Sequence, residues 1–96
     1  MTPRTRIITV VIPSNPPIKA VLRSLRYDTP IHKLMHSKGL GGVCGGRTGI
    51  KSVDVDVSVP EDKFDEALMA LEKKLRKLDV PHGTRLISGS WSMTFR

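Results

Sequence analysis

From Ser52 to Val59 the chain alternates without interruption, with valine at every odd position and Ser or Asp at every even one. A period of two belongs to a strand with one buried and one wet face. The pattern assigns Val53, Val55, Val57 and Val59 to a core and Asp54 and Asp56 to the opposite face. Arg6 to Ile12 reads Arg-Ile-Ile-Thr-Val-Val-Ile; it is β-branched and apolar on both faces, as suits an interior strand. Beyond Pro60 the period changes to that of a helix over 61–78, with Phe64, Ala67, Leu68, Leu71, Leu75 and Leu78 on one stripe. Glu61, Asp62, Asp65 and Glu66 crowd its first turns and Lys73, Lys74, Arg76 and Lys77 its last, as the helix dipole favours.

The remaining segments are less regular. Ile18, Val21, Leu22 and Leu25 stand at helical spacing behind Pro16 and Pro17, although the same residues also fit an extended arm. Thr29 as N-cap, Pro30 at the first helical position, the stripe Ile31, Leu34 and Met35, and a stop at Gly39 predict a second helical piece. Leu40 to Gly49 reads as a short strand turning through Arg47-Thr48-Gly49 into the valine strand, or as a loop. After Pro81-His-Gly83, the stretch Arg85 to Phe95 reads as one strand. Ile87, Gly89, Trp91, Met93 and Phe95 line one side of it, and Ser88, Ser90, Ser92 and Thr94 the other. The order strand, helix, strand, strand, helix, strand is the ferredoxin-like split βαβ: an α+β fold with one antiparallel sheet and two helices on one of its faces. The other face is open, and the apolar side chains on the outer side of the first strand suit a partner or dimer contact.

Ninety-six residues make one ferredoxin-like domain over 1–96, burying roughly two thirds of the surface of the unfolded chain. The single cysteine, Cys44, can form no internal disulfide, and the apolar run Ile7 to Ile12 is too short for a membrane span or signal core, so the expectation is a cytoplasmic protein without membrane contact. The net charge of +7 is uneven: residues 1–51 hold nine Lys/Arg against one acid, residues 52–96 seven against eight. The basic half attracts an anion, whether nucleic acid, an acidic protein face or a phosphorylated small molecule.

Candidate chemistry is sparse. The glycine run from Gly39 to Gly49 fails the dinucleotide fingerprint because Cys44 stands where the third glycine belongs, and it leads into a strand rather than a helix. His32 and His36 share a helical face and Cys44 is near in sequence, but a structural metal site needs a fourth ligand that the sequence does not supply; no metal and no cofactor are expected. Cys44 with a histidine lacks an orienting acid and an oxyanion hole. Asp54 and Asp56, roughly 7 Å apart along one strand face, have the spacing of paired carboxylates and equally that of two solvated acids. For nucleic acid, Lys19, Arg23 and Arg26 would form a basic ridge, while the central strands carry none of the aromatics on which RNA-reading sheets stack bases.

The passage Gly39-Leu-Gly-Gly-Val-Cys-Gly-Gly-Arg-Thr-Gly, the alternating strand to Val59, the amphipathic helix and Val80-Pro-His-Gly-Thr84 together resemble a loose family of small bacterial proteins, some of them immunity (antidote) proteins encoded beside antibacterial toxins. The resemblance covers roughly residues 28–86 and carries over no functional residue. Asp79-Val80 stands where that pattern has glycine before the proline, and the positive charge is atypical of antidotes against nucleases. The resemblance implies an antidote whose toxin presents an acidic face or is not a nuclease. The sequence thus predicts a non-catalytic protein-binding module, with sequence-tolerant nucleic-acid binding as the alternative. The predicted contact set is Arg23, Arg26, Lys33, Lys38, Arg47, Lys51, Asp54 and Asp56. A homodimer through the apolar strand end Trp91, Met93 and Phe95 is a further reading, that end packing on the core, on a second copy or on another protein.

Overall fold

A computed structural model describes residues 4–14 and 19–95; the start of the predicted helix at Ile18, with its two prolines, lies outside them. Five strands form one antiparallel sheet in the order β2-β3-β1-β4-β5: β1 is Thr5–Pro13, β2 Gly42–Thr48, β3 Ser52–Pro60, β4 Arg85–Ser88 and β5 Trp91–Thr94. β1 and β3 lie centrally, as the split βαβ requires, and are paired along their whole length from Thr5↔Pro60 to Pro13↔Ser52. The alternation fixes that register, because a slip of one residue would turn four valines to solvent. Val53, Val55, Val57 and Val59 are fully buried with Ile8 and Val10, beneath Ile31, Met35, Ala67, Leu71 and Leu75 of the helices. β1 is apolar on both faces, yet only its helix side is sealed: Ile7 remains 44% exposed on the other.

Two helical segments cover one face. The second is a 3-10 turn, Glu61–Lys63, leading into α3, Phe64–Lys77. The first runs unbroken from α1, Ala20–Arg23, through a π turn, Ser24–Asp28, into α2, Thr29–Ser37. The sequence predicted a fresh start with Thr29 as N-cap. Instead Thr29 is helical, with φ −65°, and its N–H bonds Ser24 O five residues back. Pro30 explains the difference, since it supplies no N–H and its ring crowds the preceding turn. A wider i→i+5 turn just upstream accommodates it without breaking the helix.

Both segments stop in the same way. Leu40 N–H bonds Met35 O and Gly39 N–H bonds His36 O, with Gly39 at φ 66°; this is the doubled C-terminal closure in which a left-handed residue satisfies the last carbonyls. Leu40 and Met35 are buried together. After α3, Val80 N–H bonds Leu75 O and Asp79 N–H bonds Arg76 O, with Asp79 at φ 55°. Asp79 therefore occupies a position where glycine is the unstrained residue.

The glycine run forms an edge strand, β2, with a bulge between Val43 and Gly45 that displaces Cys44, and the turn to β3 falls at Gly49–Lys51. Three glycines are required by close approach, the first being Gly41, whose Cβ would collide with Ser58 O. A Cβ on Gly42 would sit 2.7 Å from the His32 ring, and one on Gly46 would sit 2.4 Å from Asp54 O with the Arg23 guanidinium 3.3 Å away.

The predicted final strand is corrected. Arg85–Phe95 is not one strand but a hairpin, β4 and β5, turning at Gly89-Ser90 with Gly89 at φ 60°. A two-residue turn with glycine first is a favoured hairpin connection. It pairs Ser88 with Trp91 and Leu86 with Met93, so Trp91 and Met93 face the helices while Ile87 faces away. Trp91 meets Phe64 edge to face at 6.1 Å, and Arg6 lies 3.8 Å over Phe64 and donates to Ser88 Oγ at 3.4 Å. The apolar strand end packs on its own core, with Phe95 only 6% exposed.

Candidate interaction surfaces

The predicted contact residues divide between two opposite faces of the sheet. Arg26, Lys33 and Lys38 are exposed on the first helical segment. Asp54 and Asp56 point from β3 to the uncovered face, and the register Arg47↔Asp54 puts Arg47 beside them. Lys51 lies in the β2–β3 turn.

Arg23 points inward. Its Nη2 lies 3.3 Å from Asp28 Oδ2 and its Nη1 donates to Thr48 Oγ1 at 3.3 Å, with the two charged side chains only 16% and 17% exposed. Residues five apart do not face each other on an α-helix, so the π turn is what stacks Asp28 on Arg23. The pairing is incomplete, because Arg23 Nε and Asp28 Oδ1 are buried without a hydrogen bond. Burial pushes the Asp28 carboxyl above its ordinary 3.8, against the opposing charge and hydrogen bond of Arg23.

Beside this pair, Val43 N–H donates to His32 Nδ1 at 3.1 Å, clamping β2 to α2. His36 stacks on His32 with ring centroids 5.8 Å apart. Cys44 is exposed on the bulge and directs its Sγ to Asp56 O at 3.5 Å. His82 lies apart, beside Arg76, Asp79 and Phe95. Among the described residues no three His, Cys, Asp or Glu side chains gather closely enough to hold a metal ion, and none of their helices is long and apolar enough to cross a membrane.

The helical face carries a shallow groove of about 650 Å³ between α2 and α3, with Leu25, Pro30 and Leu34 as its apolar part and Lys33 and Lys74 at its sides. Val21 and Leu25, four apart and 68% and 67% exposed, extend the apolar strip along the helix. Over residues 19–38 the charges are five basic against Asp28 alone. Sequence reasoning missed Lys74 and Leu25 as parts of one surface, since only the packing of α2 on α3 brings them together.

The uncovered face is different in kind. One row across the sheet reads Arg47, Asp54, Val11, Arg85 and Thr94, and the next Gly45, Asp56, Thr9, Ile87 and Ser92. Thr9 donates to Asp56 Oδ1 at 2.8 Å. The charged residues of these two rows are two arginines and two aspartates, and neither row holds an aromatic residue. Arg85 was not anticipated; its place beside Val11 follows from the hairpin, whose Gly89-Ser90 signal was legible. The chain matches no family model, no curated protein and no solved structure.

Proposed function

We propose that the chain is a non-catalytic binding protein that occludes an acidic protein partner, in the manner of the immunity (antidote) proteins of toxin loci, and that the helical face makes the contact. One observation carries this reading: a groove with an apolar floor is flanked by Lys33 and Lys74, continues into exposed Val21 and Leu25, and adjoins Arg26 and Lys38. Such a surface fits a partner that presents carboxylates around an apolar anchor. The charges steer encounter and the desolvated apolar contact sets the residence time. Arg23 supports the surface from beneath, holding the first helical segment against β2.

The test uses the protein as bait in an extract of the organism that encodes it. The wild type retains an acidic protein, and Lys33→Glu with Lys74→Glu loses it with a slowed association rate. Equal retention by both baits would remove the groove from the interface. Duplex nucleic acid bound at low salt, with an affinity that falls steeply as salt rises, would instead favour the nucleic-acid alternative on the same face.

A further inference from the structure

We propose that the uncovered sheet face joins two copies of this chain about a two-fold axis running along β1. The case begins with charge. The chain carries +7, but the uncovered face holds Arg47 and Arg85 against Asp54 and Asp56, so it is neutral while the surplus lies elsewhere. A neutral face with both signs does not select an acidic or a basic macromolecule, whereas it can complement itself.

The arrangement of those charges selects the symmetry. β1 is the middle strand, with β3 and its aspartates on one side and β4 with Arg85 on the other. Rotation about an axis along β1 lays β3 of one copy over β4 of the other. Asp54 then meets Arg85 twice in the same interface, and Val11 meets Val11 on the axis. Rotation about an axis across the strands would place aspartate on aspartate. Packed sheets lie about 10 Å apart, a gap that an arginine reaching towards an aspartate spans.

Asp54, Arg47 and Arg85 take part in none of the ion pairs within 4 Å among the described residues, so they are free for such contacts. The apolar component is Ile7, Val11 and Ile87, and Gly45, Thr9, Ser92 and Thr94 keep the face low. Five strands about 4.8 Å apart give a width of about 24 Å, and with strands roughly 20 Å long the projected area is about 500 Å² per copy, or about 1,000 Å² over both, the lower end of what a specific interface buries. The proposal is independent of the functional reading, since it leaves the helical face outward on both copies.

Sedimentation velocity across a concentration series tests it. The wild type is expected to sediment at twice the 10.6 kDa of one chain at micromolar concentration. Asp54→Arg alone and Arg85→Asp alone are each expected to weaken the dimer at least tenfold, because each sets like charges face to face twice. Mixed in equal amounts, the two variants re-form a dimer: the arginine introduced at position 54 of one chain meets the aspartate introduced at position 85 of the other, while the second contact is native. Circular dichroism of each variant confirms folding. Should either fail to fold, Val11→Cys in a Cys44→Ser background gives the second reading: a dimer joined by a bis-maleimide of about 10 Å, matched to the spacing of packed sheets, supports the axis, and a chain that the reagent leaves uncross-linked overturns it. A wild type that stays monomeric, or variants that dimerise unchanged, or a mixture that stays monomeric would each overturn the proposal.

Discussion

Replacing Arg23 with methionine removes the cation beside a carboxylate that the fold has taken out of water. Breaking a fully buried pair costs about 3–5 kcal/mol and an exposed one about 0–1 kcal/mol. With the side chains 16% and 17% exposed, Arg23→Met is expected to cost about 2 kcal/mol, which includes the 3.3 Å bond to Thr48. For a domain of this size that lowers Tm by roughly 8–16 °C.

The same geometry predicts the opposite for removal of both partners. Burial raises the Asp28 pKa more than Arg23 lowers it, and Nε and Oδ1 are left unbonded, so attraction within the pair does not offset its desolvation. Arg23→Met with Asp28→Leu, the leucine directed towards the open apolar space beside Val43, is expected to leave stability within about 1 kcal/mol of wild type. The cost of the single variant also depends on pH. Asp28 has a folded-state pKa above its unfolded value, so its contribution favours the fold as pH falls through the range just above 3.8 and is lost as pH rises. Without Arg23 the carboxyl rises further, and the penalty is full at neutral pH and shrinks as the medium acidifies. Urea unfolding of the three proteins at pH 7 and near pH 4 measures all of this. A double variant as unstable as the single would show that the pair is held by attraction after all, and a penalty that grows towards acid would show that Arg23 does not hold the Asp28 carboxyl down.

Two further outcomes follow from the backbone. Gly46→Ala is expected to cost about 1–3 kcal/mol in urea unfolding, because its Cβ would meet Asp54 O, backbone that cannot swing aside; Gly45→Ala, with only Asp56 Oδ2 at 3.6 Å, is the tolerated control. Asp79→Gly is expected to raise Tm by a few degrees, since relief of the left-handed strain, about 1 kcal/mol, and loss of an acid at a helix C-terminus together exceed the added freedom of the unfolded glycine.

The alternation of 53–59 was enough to place β3, its register faces and the two aspartates, because period two has a single solution once one face is buried. α3 was equally legible from its stripe and charge gradient. The first helical segment was misread at Thr29 because Pro30 is compatible with both a first turn and an interior π turn, and the distinction depends on Arg23 and Asp28 finding each other across five residues. The final hairpin was misread because Gly89 and the serines satisfy one long alternation; the turn inverts the parity, which moves Ile87 and Arg85 to the uncovered face and Trp91 to the core. The division of the charged residues between two faces was beyond one-dimensional reading, since Lys33 and Lys74 meet only through helix packing.

If the helical face, and not the sheet, receives the acidic partner, hydrogen exchange on the complex purified from the native source will register it. Slowed exchange across residues 19–38 and the exposed side of α3, with β1 and β3 unchanged from the free protein, is the expected result; protection confined to the strands, with the helices unchanged, would place the partner on the wrong face for this proposal.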